Sequence, residues 1–206
     1  MNDQLLHMQG VSKNFGAVQA LNKVSISVRE GSVHALIGEN GAGKSTLMKI
    51  LSGSLQADSG SMSIAGETFR PNGPKQARET GVSMIYQELT LAPHLTVEEN
   101  ITLGAEQQKY GLVRHQCDQA TEALSLLGHN NIDLKMPVQR LSIGQQQLVE
   151  IARSLLLQSR IIIMDEPTSS LSGEDTRNLF SAINRLRDQG ITIIYISHFL
   201  EEIQEI

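Results

Sequence analysis

A loop of nine residues near the start of this chain dictates what must stand on either side of it. Gly38-Glu39-Asn40-Gly41-Ala42-Gly43-Lys44-Ser45-Thr46 fits the pattern G-x-x-x-x-G-K-[ST]. A chain carrying that pattern has to enter the loop along a strand and leave it along a helix, because the loop wraps phosphate groups. Glycines let the backbone turn tightly enough for successive N–H groups to face anionic oxygens. Lys44 brings an ammonium to the β- and γ-phosphates of a nucleoside triphosphate, and the Ser45 hydroxyl suits a Mg²⁺ ion. Both flanks comply. Ser32 to Ile37 reads as a buried strand, and Lys44 to Leu51 reads as a helix. The helix N-terminus, with its unpaired N–H groups and positive dipole end, then lies under the phosphates.

The rest of the chain must supply a sheet for that strand to join. Its 206 residues are enough for one large domain, or a domain with a lobe. A 40% share of hydrophobic residues excludes a disordered chain. Aromatics are only 3% and Trp is absent, so the core has to be built from Leu, Ile, Val and Met. The net charge of −5 argues against a broad nucleic-acid-binding face. Cys117 is the single cysteine and cannot form an internal disulfide, which suits a reducing compartment. The first residues lack the basic start and apolar run of a signal peptide, and no stretch reaches a membrane-spanning ~18 apolar residues. Any membrane role is therefore expected to be peripheral.

Strands are expected over Leu5 to Val11 and Val24 to Val28, the second alternating apolar and polar residues. Ser61 to Ala65 alternates again, with a hairpin tip at Ala65-Gly66-Glu67, and Val82 to Tyr86 makes a short apolar strand. Between Glu88 and Gln158 the strand signal fades and helical periodicity takes over. Thr96-Val97-Glu98-Glu99 has the form of a capping box. Gln116 to Leu127 sets Ala120, Ala123, Leu124 and Leu127 on one face, and Gly128 ends that helix. The strands resume with Ile161 to Glu166. A helix from Gly173 to Gln189 then stops at Gly190, and Ile191 to Ile196 delivers Ser197 and His198. Apolar strands alternating with helices predict an α/β fold around a mainly parallel sheet. Its helical segment, 88–158, would be an insertion dividing a core built from 1–87 and 159–206.

Four aliphatic residues followed by Asp165 and Glu166 put two carboxylates at the C-terminal end of a central strand, the edge where open α/β sheets bind ligands. Asp165 is the candidate Mg²⁺ holder opposite Ser45. Glu166 is the candidate for polarising the water that attacks the γ-phosphate. His198 follows the next apolar strand, from which its imidazole is expected to reach the γ-phosphate and fix the attacking water. Gln87 also ends a strand, and taken alone is unremarkable. Leu141-Ser142-Ile143-Gly144-Gln145-Gln146-Gln147 opens a helix. Ser142 and Gln145 form a capping box there, while the same tip is an anion site by its dipole; spacing leaves both open.

Taken together, the phosphate loop, Leu141–Gln147, Ile161–Glu166 with Pro167-Thr168-Ser169-Ser170-Leu171, and His198 stand in one order along the chain. That set resembles the nucleotide-binding domain of ATP-binding-cassette (ABC) transporters over essentially the whole length. Within the family it is most similar to the N-terminal cassette of bacterial monosaccharide importer ATPases. The resemblance implies a P-loop NTPase fold with an N-terminal antiparallel β subdomain and an inserted helical subdomain. It implies ATP and Mg²⁺ as ligands, with Lys44, Glu166 and His198 catalytic, and Ser45, Gln87 and Asp165 at the metal. Phe15 matches the aromatic that stacks on adenine. Ser142, Gly144 and Gln145 match a signature that contacts ATP held by a second cassette, in tandem or in a separate copy. Further implied partners are a membrane-spanning permease, docked on the helical lobe, and indirectly an extracytoplasmic sugar-binding protein. The location implied is the cytoplasmic face of the cell membrane. The acidic charge stands against the alternative of a soluble ABC ATPase of DNA repair or translation.

Three departures from the family pattern carry expectations of their own. Ile143 replaces a glycine common in the signature; being β-branched, it should enter the helix without a positive φ. Ser172 stands where many members have Asp, which alters a contact across the paired cassettes. Family members also continue past the position of Ile206, so the chain is expected to be a fragment or truncated remnant with exposed apolar edges and marginal solubility.

Overall fold

A computed structural model describes residues 4–39, 41–104, 108–109, 112–113, 117–129 and 131–206. Asn40, one of the phosphate-loop candidates, lies outside the described residues. Among the described residues two four-stranded sheets, one two-stranded pair and a set of helices make up the architecture. The first sheet is antiparallel, in the order β2-β1-β4-β5, from β1 (Gln4–Phe15), β2 (Val18–Arg29), β4 (Ser59–Ile64) and β5 (Glu67–Thr68). The second is wholly parallel, in the order β3-β10-β9-β6, from β3 (Val33–Ile37), β6 (Val82–Ile85), β9 (Ile161–Asp165) and β10 (Thr192–Ser197).

β1 and β2 run well past the expected Leu5–Val11 and Val24–Val28, for a physical reason. Leu6, Met8 and Val11 are fully buried, but the pairing register shifts between Met8 and Val11. Gly10 takes a φ of 62° at this bulge. Beyond the bulge polar and apolar side chains mix with no alternating signal, yet the backbone ladder continues through Lys13↔Leu21 and Asn14↔Gln19 to Phe15↔Val18. Asp58 secures this end, accepting from Lys13 Nζ and from the Asn14 N–H, both at 2.7 Å. The expected hairpin tip at Ala65-Gly66 joins β4 to β5, with both residues at positive φ.

The period-2 geometry of a strand explains why the parallel sheet reads as continuous apolar runs. In β9, Ile161 and Ile163 face one core, while Ile162 and Met164 face the other. In β10, Ile194 and Ile196 join the first, and Ile193 and Tyr195 the second. The first core lies between the two sheets and includes Met48, Ile50 and Leu51 of α1 (Lys44–Leu51). The second is packed by α3 (Val97–Thr102), α4 (Cys117–Leu126), α5 (Ile143–Leu156) and α6 (Gly173–Asp188). α2 (Pro74–Glu79) precedes β6, and α7 (Leu200–Glu205) follows β10.

Local helix signals are met closely. Thr96 and Glu99 form the reciprocal capping box, as do Ser142 and Gln145. Ala120, Ala123, Leu124 and Leu127 are all buried, and Gly128 turns the chain at φ 87°. The segment 88–158 is not purely helical, however. A short antiparallel pair, β7 (Gln108–Lys109) and β8 (Leu112–Val113), sits between α3 and α4. Two-residue strands are too brief to leave a periodic signal.

Candidate functional site

All four parallel strands point the same way, so the loops that follow them share one edge of the sheet. The phosphate loop follows β3, Gln87 follows β6, Glu166 follows β9, and His198 follows β10. Strand order puts β10 and β9 in the interior, which brings His198 and the Asp165–Glu166 pair together beside β3.

The loop itself is held by its neighbours. Gly43 has a φ of 88° and stands as the N-cap of α1, with no side chain capping the helix. The first-turn N–H groups of α1 are thereby left for a ligand. A Cβ on Gly43 would come within 2.6 Å of the Ala20 carbonyl oxygen and 2.8 Å of Leu21, so β2 presses directly on the loop. Lys44 is buried, and its ammonium donates to the carbonyls of Gly38 at 2.5 Å and Glu39 at 2.9 Å. A cleft of about 150 Å³ is lined by Ala20, Gly41, Ala42, Gly43, Lys44, Ser45, Thr46 and Glu166. The candidate carboxylate and the phosphate loop therefore share one cleft.

Ser45 Oγ donates to Asp165 Oδ1 at 3.3 Å. Burial pushes the Asp165 carboxyl up from its ordinary value. The Ser45 hydrogen bond opposes that rise, Glu166 adds to it, and Lys49 and Lys44 pull it down. Among the described residues no group of three or more His, Cys, Asp or Glu could cage a metal. One hydroxyl and one carboxylate side by side fit a hard cation that keeps its remaining positions for water and phosphate, as Mg²⁺ does.

Glu166 is the strained member. Its φ is 47°, a left-handed conformation that costs a non-glycine residue about 1–3 kcal/mol. Its N–H donates to the Ile196 carbonyl at 3.0 Å, and its Oε1 lies 3.2 Å from His198 Nδ1. The expected grouping of both acids and the imidazole beside the phosphate loop is present.

Gln87 is exposed, two residues beyond β6. The chain just after it is anchored to α5, where Thr90 donates to Glu150 Oε1 from its N–H at 2.5 Å and its hydroxyl at 2.7 Å. Burial raises the Glu150 carboxyl above its ordinary value, against the pull of those two hydrogen bonds and of Arg153. Arg153 in turn donates to the Asn100 carbonyl on α3 at 2.9 Å. Phe15 stands at the tip of the β1–β2 hairpin, 47% exposed, with Lys13 Nζ 5.8 Å from its ring centre.

The signature candidates form a separate group. Ser142 Oγ accepts from the Gln145 N–H at 3.2 Å, and Gln145 Oε1 accepts from the Ser142 N–H at 3.1 Å. Ile143 enters α5 without a positive φ, as its β-branch requires. A Cβ on Gly144 would collide with the side chain of Asp175, so α6 approaches α5 here through the absence of a side chain. Ser172 caps α6, its Oγ accepting from the Asp175 N–H at 3.2 Å. None of these residues lines the phosphate-loop cleft. Sequence patterns gave no sign of Glu150 and Thr90, or of Ala20 behind Gly43, since each acts through a partner distant in the chain.

The family model described as "ABC transporter" matches residues 21–169. The ribose import ATP-binding protein RbsA of Yersinia pestis bv. Antiqua is 48% identical over 204 residues, which are 98% of this chain and 40% of that protein. The arabinose import ATP-binding protein AraG of Chromohalobacter salexigens is 47% identical over 207 residues, 100% of this chain and 42% of that protein. The chain thus spans about two fifths of the length of the curated relatives it matches. Among solved structures, the ADP conformation of MJ1267, an ATP-binding cassette of an ABC transporter, superposes with a TM-score of 0.88 at 30% identity, covering 98% of this chain and 85% of that one. On its motifs, its strand order and these matches, the chain belongs to the ABC transporter family.

Proposed function

We propose that this cassette binds and hydrolyses ATP to drive import of a small solute, a monosaccharide of the pentose class, through a membrane permease. One observation carries the reading: Glu166 lines the cleft of the phosphate loop while touching His198, and Asp165 touches Ser45. Lys44 exchanges its two carbonyl partners for the β- and γ-phosphate oxygens, and the N–H groups of 41–46 with the α1 dipole hold the triphosphate. Ser45 and Asp165, with Gln87 from the loop after β6, are the residues that would hold Mg²⁺, which when bound neutralises charge on those phosphates. Glu166 orients the attacking water and accepts its proton, and His198 fixes that carboxylate and faces the γ-phosphate. Phe15 offers its open ring face to adenine.

The names of the relatives support the solute class, since those proteins import ribose and arabinose. Family membership supports pairing, in which Ser142, Gly144 and Gln145 meet a nucleotide held by a second cassette. The 88–158 segment would form the inserted helical subdomain, and 1–87 with 159–206 the core. The contacts that begin three residues after Gln87, Thr90 with Glu150 and Arg153 with Asn100, support a route from nucleotide to that subdomain and on to a permease. No helix among the described residues is long and apolar enough to cross a membrane, which is consistent with a peripheral subunit on the cytoplasmic side. The test is Glu166→Gln. It should keep ATP affinity within about twofold and lower turnover in the assembled complex by about 100-fold or more. Unchanged hydrolysis would overturn the role given to Glu166.

A further inference from the structure

Glu202 lies on α7, outside every residue the functional reading uses. Its Oε1 accepts from Thr168 Oγ1 at 2.6 Å, and its Oε2 accepts from Ser197 Oγ at 2.6 Å and Tyr195 Oη at 3.0 Å. Three hydroxyls from two chain segments thus converge on one carboxylate. Hydroxyl bonds to an ionised carboxylate are short and about twice as strong as neutral ones. Tyr195 is fully buried, and burial holds its phenol above the ordinary value, so it stays a donor.

The placement of those donors is informative. Thr168 stands two residues after Glu166, and Ser197 stands immediately before His198. Ser197 Oγ also accepts from the Phe199 N–H at 3.0 Å, so the bend that presents His198 is held on both sides. Glu202 therefore clasps segments that also meet through the Glu166 N–H with the Ile196 carbonyl, and through Glu166 with His198. Glu166 also holds a left-handed backbone, which persists only where its surroundings over-determine it.

We propose that Glu202 is a positioning residue for the hydrolytic site, fixing the 166–168 and 197–199 segments against each other so that Glu166 and His198 stay in register. This rests on the hydrolytic reading of Glu166. The carboxylate's hydrogen bonds go to Thr168, Tyr195 and Ser197 and to none of the described phosphate-loop residues, so it acts on turnover more than on nucleotide affinity.

The experiment compares Glu202→Ala, Glu202→Gln and Thr168→Val in the full chain. Turnover is normalised to nucleotide-binding sites in the assembled complex. Amide hydrogen exchange is followed on the chain alone. Glu202→Ala should lower kcat about 10- to 100-fold, the scale of a reacting group misplaced by about 1 Å. KM for ATP should stay within about twofold. In a His198→Ala background, adding Glu202→Ala should cost less than about twofold more, because both act through one pair. Exchange should quicken together at 166–169 and 197–200 and remain unchanged at Leu6–Met8. Undiminished turnover per site, or a full additional loss in the His198→Ala background, overturns the proposal. If the wild type does not hydrolyse ATP, the functional reading fails separately, and the exchange pattern still decides the clasp: unchanged protection at both segments refutes it. Should Glu202→Ala fail to fold, Glu202→Gln and Thr168→Val carry the same measurements, each with a smaller effect of the same sign.

Discussion

Replacing Gly43 by Ala separates what the phosphate loop owes to its ligand from what it owes to the fold. Gly43 sits at φ 88°, and an added methyl would meet the Ala20 carbonyl oxygen at 2.6 Å and Leu21 Cδ2 at 2.8 Å. Neither neighbour can retreat cheaply. Ala20 is backbone of β2, and Leu21 is 4% exposed in the core between the sheets. Gly41 is the natural control, since it has a similar φ of 84° and nothing within 4 Å of its added Cβ among the described residues. In both variants alanine bears a left-handed penalty of about 1–2 kcal/mol. Part of that, about 0.4–1 kcal/mol, is returned because the unfolded chain becomes stiffer. Only Gly43→Ala adds the overpacking term of about 1–3 kcal/mol. The two variants should therefore differ by roughly 2 kcal/mol, or roughly 4–8 °C in Tm for a chain of this size. Thermal unfolding of the nucleotide-free chain measures it directly. If glycine at 43 served only to let phosphate approach, both variants would unfold alike without nucleotide. Equal losses would refute the reasoning, and so would a Gly41→Ala variant less stable than Gly43→Ala.

Two further substitutions test the cleft's chemistry. Asp165→Asn should raise the stability of the nucleotide-free chain while abolishing the Mg²⁺ dependence of ATP binding. Because burial raises the Asp165 pKa, its charged form weighs against the fold above that pKa. The wild type therefore gains on the variant as pH falls through the raised value, and thermal melts across that range should show the gap closing. An Asn variant less stable than wild type at neutral pH would contradict this. Phe15→Ala removes a ring already 47% exposed, so it should leave stability nearly unchanged. Loss of base stacking worth about 1–3 kcal/mol should weaken ATP roughly 5- to 150-fold by calorimetry. An unaltered Kd would exclude Phe15 from the adenine site.

The parts of the fold that were legible in the sequence are those whose cause is local. A fully buried parallel strand must be apolar on both faces, so Ile161–Met164 and Ile193–Ile196 announce themselves, and their ends locate Asp165 and His198. Capping boxes are equally local: Thr96 with Glu99, and Ser142 with Gln145, span three residues each. The hairpin-end halves of β1 and β2 were hidden because there the strand persists through backbone pairing and the Asp58 anchor, not through side-chain alternation. β7 and β8 were hidden because two residues hold no period.

The site divides along the same line. Which residue types gather at the sheet edge follows from motif and strand order, but how they are held does not. Glutamate has no preference for a φ of 47°, so nothing in Asp165-Glu166-Pro167 betrays the left-handed turn at Glu166. That conformation exists because the Ile196 carbonyl of β10 takes the Glu166 N–H and His198, just past that strand, meets its carboxylate. The same holds for Gly43, whose need for glycine is set by Ala20 and Leu21 on β2 as much as by phosphate. In both cases a residue of the reactive loop is constrained by backbone from a distant strand. A substitution in β2 or β10 that shifts that backbone should thus disturb the cleft without touching any residue that lines it.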